Sequence, residues 1–350
     1  MNKHINKKLL FLYPHPVGNL IDQIIDGKRP SEILYGLIEL RKRGWHVNVS
    51  DHRYVGHFAP FVRVLKQFGI NIIDIKTLSD IRKHDIIVVK DEFSLITTIS
   101  AKIFKKKIIY LDSMFQLPRR FWQKQSIRLQ CRMIHKILNY SSYQKALWVQ
   151  ELKLPPKVFK HVNYGIDIGF YKDVLPYESQ CSYILSVGRD LGRDFKTLIK
   201  AIEGTRYKLK LVTLPYLVKN LIGRYPWIEI FYNLPYKDLF HLYSGATLVV
   251  VPLKRGITYP SGIRAVMESI ALGCLTIVSW TPVLDEYFTH EEDVIFVEPE
   301  NPKALKKLII SITENQVLKD KIKKRALANL KKKYSITQFV NDFEELLKKL

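Results

Sequence analysis

Short runs of β-branched and aliphatic residues alternate along the chain with longer stretches in which apolar residues recur every three or four positions. In the first half the short runs are Leu9–Tyr13, His46–Ser50, Ile70–Ile75, Asp85–Lys90 and Lys107–Leu111, each read as a buried strand. Between the first two, Ser31–Arg43 carries apolar residues at 33, 34, 37, 38 and 40, a helical spacing. The pattern restarts with Ser182–Val187, Lys208–Thr213, Ile228–Tyr232, Ala246–Pro252, Leu275–Ser279 and Val294–Val297. Helical stretches fill the gaps at 195–203, 262–272 and 302–315. Strand–helix alternation repeated in this way predicts an α/β chain with two doubly wound parallel sheets. The join is expected in the Pro- and Gly-bearing stretch from Leu154-Pro155-Pro156 to Leu175-Pro176-Tyr177. That divides the chain into 1–174, 175–335 and an amphipathic C-terminal helix, 336–350, free to pack on either domain. Such sheets bind ligands at their C-terminal edges, where helix N-termini aim N–H groups at anions.

Length agrees with two domains: 350 residues, 47% of them hydrophobic, suffice for two cores. Three widely spaced cysteines, Cys131, Cys181 and Cys274, make neither a disulfide framework nor a zinc set, and suit a reducing compartment. The N-terminal apolar run stops at Pro14 with no small-residue cleavage site, unlike a secretory signal. Nowhere do about 18 apolar residues run together, so no bilayer-crossing segment is expected. The expected location is cytoplasmic, with membrane contact peripheral and on the inner face.

Chemistry concentrates in the second half. Gly188-Arg189-Asp190-Leu191-Gly192-Arg193-Asp194 follows a strand and opens a helix. Arg189 and Arg193 offer fork-shaped donors suited to phosphate oxygens, or pair as surface residues with Asp190 and Asp194. Next, Val249–Pro252 runs into a loop ending Tyr259-Pro260-Ser261-Gly262, where Ser261 reads as an N-cap and Gly262 permits close approach of a diphosphate. Glu268 lies on the edge of the following helix's apolar face. Its carboxylate suits the two hydroxyls of a ribose, or is a solvated helix glutamate.

In this order the pieces resemble the family 4 (group 1) glycosyltransferases, which have the GT-B fold: two Rossmann-like domains facing a cleft. The resemblance spans most of the chain and rests on Gly188-Arg189 with Arg193, Val250–Pro252, Glu268-Ser269-Ile270-Ala271-Leu272-Gly273, Leu275–Ser279, Tyr164-Gly165-Ile166-Asp167 with Phe170-Tyr171, and Ser31–Leu37 with Arg43–Val47. It implies a donor site of Gly188, Arg189, Arg193, Ser261, Gly262 and Glu268. Asn233 and Leu234 stand where the family's backbone holds the nucleobase. His15, Gly18 and Asn19 stand on the acceptor side. The family's cleft histidine is matched by Asp112, at a strand end, suited to orienting or deprotonating an acceptor hydroxyl, or to capping a helix. A first family glutamate, eight residues before Glu268, is here Pro260. The implied reaction is transfer of a sugar from a nucleotide-diphosphate sugar, with retention. An inverting transferase or a nucleotide-sugar epimerase of the same fold remains an alternative. No Asp-x-Asp pair, no zinc-type histidine pair, no P-loop and no Gly-x-Ser-x-Gly elbow is present, so no cofactor or obligatory metal is expected.

The charge changes the picture last. The chain is formally +23 at pH 7. Residues 1–175 hold 30 Lys and Arg against 14 Asp and Glu, and the remainder 26 against 19. The focus is Arg119–Lys136, where Arg120, Lys124, Arg128, Arg132 and Lys136 recur every four residues. Phe121 and Trp122 are expected away from this ridge. It reads as a basic amphipathic helix on an anionic membrane surface, or as an ordinary helix with a solvated charged face. Nucleic acid is a third reading without any accompanying binding motif. The sum of these expectations is an enzyme acting on a glycan or lipid-linked acceptor at the cytoplasmic membrane face, in cell-surface polysaccharide or glycoconjugate synthesis.

Overall fold

A computed structural model describes residues 7–50, 65, 68–70, 72–90, 94–111, 117, 120–172, 183–221 and 223–350. Contacts divide it into two compact units: Met1–Gly27, Ser31–Asn163 and Thr337–Leu350 in one, Lys28–Pro30 and Tyr164–Ile336 in the other. Tyr164–Lys172 thus group with the second unit, while the expected join at 174/175 lies outside the described residues.

The first unit is built on a six-stranded parallel sheet of β1 (Lys8–Leu12), β2 (His46–Ser50), β3 (Ile86–Lys90), β4 (Lys107–Leu111), β5 (Lys136–Asn139) and β6 (Phe159–His161), in the order β2-β1-β3-β4-β5-β6. β3 is buried at all five positions, as a strand covered on both faces must be. Of the five expected strands four form. Ile70–Ile75 does not: Ile72–Thr77 is a 3₁₀ helix running into the helix Leu78–Lys83. A short apolar run has no periodicity long enough to separate the two outcomes. Two strands went unpredicted. The expected Arg119–Lys136 helix ends at Cys131, and Lys136 instead opens β5, whose Ile137 and Leu138 are buried against β4 and β6.

The second unit repeats the plan with β7 (Tyr183–Val187), β8 (Lys208–Val212), β9 (Ile228–Phe231), β10 (Leu248–Val251), β11 (Thr276–Ser279) and β12 (Ile295–Val297), all parallel, in the order β12-β11-β10-β7-β8-β9. The chain proceeds outward from β7 through β9, then resumes on the other side with β10. The β7–β10 junction is therefore the topological switch point, where parallel sheets open a crevice at their C-terminal edge. The helix Gln316–Lys333, not anticipated from sequence, carries Ile322, Ala326 and Leu330 into the interior.

The C-terminal helix, Ile336–Lys349, packs on the first unit. Phe343 meets Phe11 of β1 edge-on at 6.3 Å. Gly36, at φ 83°, interrupts the Ser31–Arg43 stretch; a Cβ there would lie 2.9 Å from Val340. Glycine thus serves both the left-handed backbone and the helix contact. Glu344 accepts from Arg43 Nη1 at 2.7 Å and from the Trp45 indole at 3.2 Å. Burial pushes its carboxyl up, but the bonds from Arg43, Trp45 and Lys348 outweigh this and hold it below the usual carboxylate range. That contribution to stability is complete above the unfolded value of about 4.3 and is lost as pH falls through the folded value. Glu344→Ala should cost about 1–3 kcal/mol, the penalty for stranding buried donors. Thermal melts of wild type and variant should differ at pH 7 and converge as pH falls below the folded value of Glu344.

Candidate active site

The turn after β7 meets the loop after β10 at the switch point. Arg193 and Leu253 form an isolated antiparallel bridge, the Asp194 amide donates to the Pro252 carbonyl at 3.0 Å, and the Lys254 amide to that of Gly192 at 2.9 Å. This clamp sets Gly188–Arg193 beside Ser261.

Asp190 organises the junction, a role its sequence position did not reveal. Its Oδ2 accepts from Arg193 Nε at 3.1 Å, and its Oδ1 from the Gly192 amide at 2.9 Å and Ser261 Oγ at 2.7 Å. Tyr259 bonds to Asp190 as well; burial first, and then the charge of Asp190, push its phenol up to about 12, so it stays a donor at neutral pH. Arg193 is 6% exposed, and its Nη1 is buried without a hydrogen-bond partner among the described residues. Arg193 thus pairs with Asp190 through Nε, on a different nitrogen from the unpartnered Nη1. The other expected pair does not form: Asp194 caps the helix Phe195–Ile202 through Thr197 N at 3.1 Å.

Ser261 is not the N-cap. The capping position of the helix Ile263–Ala271 is Gly262 at φ 86°, with no side-chain cap. Ser261 Oγ is committed to Asp190 instead, because the left-handed Gly262 turns the chain before the helix starts. The helix N-terminus keeps its backbone N–H groups for a ligand.

Glu268 is buried, not solvated, at 6% exposure. Its Oε1 accepts from Arg264 Nε at 2.9 Å and from the Tyr171 hydroxyl at 3.2 Å. Arg264 Nη2 also donates to the Tyr236 hydroxyl. Arg264 was legible as an i,i+4 partner of Glu268; Tyr171, 97 residues away, left no local signal. Arg189 is exposed and donates to Asn233 Oδ1 at 2.6 Å, which brings the turn after β7 beside the turn after β9. Asn233 has φ 50°, and Leu234 next to it is half-buried. Gly188, Arg189, Arg193, Asn233, Ser261 and Gly262 thus share one sheet edge, with Glu268 in the second turn of the adjoining helix. Thr213, just beyond β8, adds a buried hydroxyl without a partner among the described residues.

In the first unit His15 and Asn19 are exposed beyond the C-terminal end of β1, and Gly18 opens the helix Gly18–Ile25. Asp112 lies outside the described residues. Lys90, buried at the C-terminal end of β3, sits 4.4 Å over the Tyr35 ring, a cation the sequence reading did not single out. Among the described residues no group of three His, Cys, Asp or Glu could hold a metal ion, and no helix is long and apolar enough to cross a membrane.

The basic ridge is partly dismantled. Lys124 pairs with Glu151 at 2.5 Å, and Lys136 donates from β5 to the Lys157 carbonyl at 2.6 Å. Arg120, Arg128 and Arg132 stay on the helix Phe121–Cys131 and its flanks. Phe121 and Trp122, expected away from the ridge, are 72% and 46% exposed beside it, and Leu129 is 50% exposed. Ile127 and Cys131 already fill the inward face, so these three apolar residues point to solvent. Arg120 lies 5.6 Å over the Trp122 ring.

Comparisons with known proteins bear on this geometry. Residues 175–333 match the family described as Glycosyl transferases group 1. A search of curated proteins returns no significant match. Solved structures match over nearly the whole chain. One is HepE from Anabaena in complex with UDP-glucose, at 16% identity and TM-score 0.72, covering 99% of this chain and 100% of that one. Another is a glycosyltransferase from Rickettsia africae, at 17% identity and TM-score 0.69, covering 98% of each chain. A third is sucrose-phosphate synthase from Thermosynechococcus elongatus, at 15% identity and TM-score 0.68, covering 98% and 99%. At these identities the likeness establishes the fold, which is GT-B. Residues 175–333 are thus similar to the group 1 glycosyl transferases, and the chain shares the fold of the glycosyltransferase structures it matches.

Proposed function

We propose that the enzyme, of family 4 type, transfers a sugar from a nucleotide-diphosphate donor to a glycan or lipid-linked acceptor at the cytoplasmic face of a membrane, with retention, in cell-surface glycoconjugate synthesis. The observation that carries the donor half is Arg193, buried, braced by Asp190 and left with an unpartnered Nη1. A guanidinium held in this way loses little freedom on meeting a diphosphate. Arg189 adds exposed charge, and the helix N-terminus at Gly262 adds backbone donors, so the diphosphate is neutralised without a cation. Glu268, oriented by Arg264 and Tyr171, accepts from the ribose hydroxyls, and the turn at Asn233 and Leu234 borders the base. HepE binds UDP-glucose, which makes uridine diphosphate the first nucleotide to test. At 100 times its dissociation constant UDP should stabilise the protein by about 2.7 kcal/mol, read as a rise in Tm. No rise with UDP, GDP or ADP would remove the donor reading. Chelator should leave turnover unchanged, and NMR of the product anomer decides retention.

The acceptor half rests on the first unit. Exposed Phe121, Trp122 and Leu129 beside Arg120, Arg128 and Arg132 combine the apolar and basic parts of an interfacial helix. Each cation contributes about 1 kcal/mol near an anionic leaflet. The protein should float with vesicles containing phosphatidylglycerol and not with pure phosphatidylcholine. Replacing Phe121 and Trp122 by Ser should weaken flotation at least tenfold. Equal flotation on both vesicle types would remove the electrostatic component.

A further inference from the structure

The C-terminal edge of the second sheet holds a cavity that the donor site does not use. It has about 280 Å³ and lies beyond β10, β11 and β12, between Arg255, Ile257, Trp280, Pro282, Glu298 and Pro299. Trp280 is the large side chain in it, 45% exposed although it directly follows a strand whose residues are all buried. The indole is not a loose surface ring. Its Nε1 donates to Asp285 Oδ1 at 3.1 Å and its backbone N–H to the Val297 carbonyl at 2.8 Å. Thr281 then caps the helix Pro282–Asp285 through the Leu284 amide at 3.1 Å. The edge of the ring is tied down while a face stays open.

The rim is polar and internally balanced. Arg255 Nη2 donates to Glu298 Oε1 at 2.9 Å and to the Pro299 carbonyl at 3.1 Å, and the Arg255 amide reaches Glu300 Oε1 at 3.3 Å. Asn301 holds Glu298 further, through a bond to Oε2 at 3.0 Å. Bonds from Asn301 first, then Arg255, hold the Glu298 carboxyl below its ordinary range, so it is an acceptor at neutral pH.

We propose that this cavity is a carbohydrate subsite that seats one uncharged pyranose ring of a glycan against Trp280. The negative face of the indole suits the weakly positive C–H hydrogens of a sugar ring. Arg255 and Glu298 supply a donor and an acceptor for ring hydroxyls at fixed positions. A phosphate is disfavoured because Arg255 is already neutralised by two carboxylates. An acyl chain is the competing occupant, and the test below separates it as saturation confined to the octyl group. The subsite rests on the reading of the acceptor as a glycan. It neighbours the donor site through the loop from Leu253 to Ser261, whose far end bonds Asp190.

Saturation-transfer NMR on the full chain tests this, with octyl β-D-glucopyranoside below micelle formation and cellotetraose as probes. Saturation should reach the sugar ring C–H protons, fall at least fivefold in Trp280→Ala, and recover in part in Trp280→Phe. Saturation confined to the octyl chain, no transfer to either probe, or transfer unchanged in Trp280→Ala would each overturn the proposal. The UDP-induced Tm rise, read on the same samples, separates the two readings. A rise without sugar contact sinks the subsite alone, and sugar contact without a rise sinks the donor reading alone.

Discussion

Gly188→Ala is expected to lower kcat/KM for a nucleotide-diphosphate sugar by roughly 10²–10⁴-fold while the protein stays folded. A Cβ on residue 188 would lie 2.1 Å from Arg193 Nε, 2.6 Å from its Cζ and 2.7 Å from its Cδ. Every conflicting atom belongs to the outer part of one long side chain, so the backbone need not move. The guanidinium must leave its place, and with it go the bond to Asp190 Oδ2 and the alignment of Nη1. Two charge-assisted hydrogen bonds at about 1.5–3 kcal/mol each convert, at about 1.4 kcal/mol per decade, to the stated loss. Steady-state kinetics with UDP-glucose and a thermal melt check both halves. Arg193→Ala should lose about as much, and the double variant little more, because both changes remove one interaction. Full activity in Gly188→Ala would exclude Arg193 from the diphosphate.

Glu268→Ala should be comparably damaging, by a different route. The carboxylate is buried, and Arg264 and Tyr171 hold Oε1, so one oxygen anchors the group and the other is left to a ligand. Loss of its bonds to ribose hydroxyls should cost about 1.5–3 kcal/mol for each charged hydrogen bond, or about 10²-fold in nucleotide affinity. Pyrophosphate, which has no ribose, should bind wild type and variant equally. A proportional loss for pyrophosphate would mean that Glu268 acts on the diphosphate side and not on the ribose. The variant should also lose some stability, since the half-buried Arg264 guanidinium loses its ion pair with Glu268.

The two changes test different kinds of legibility. Gly188, Arg189 and Arg193 could be found by eye, because a glycine turn with arginines after a buried strand is a local pattern. So could Glu268, by its place on a helix face. Asp190 was visible only as a charge-balancing neighbour, since its bonds to Ser261 and Tyr259 close a gap of about 70 residues. Tyr171 reaches Glu268 across 97 residues, and no spacing rule operates at that range. The misread elements were short or shared. Ile72–Thr77 is too brief for periodicity to separate helix from strand, and Lys136 fell into the phase of the preceding helix although it begins β5. Phe121 and Trp122 were placed on the apolar face because apolar residues usually lie there; the inward positions were already taken by Ile127 and Cys131.

By itself the sequence determined the two-sheet α/β plan, the glycine–arginine turn after a buried strand and the excess of positive charge in the first half. Each of these is carried by local periodicity, short spacing or composition, which exist before the chain folds. Only the tertiary structure decided that Ser261 bonds Asp190 and leaves the helix without a side-chain cap, that Arg193 Nη1 has no partner among the described residues, and that the C-terminal helix packs on β1. It also decided which members of the basic ridge are already paired. These depend on which distant residue arrives first at a given donor or face, and a linear pattern does not encode that competition.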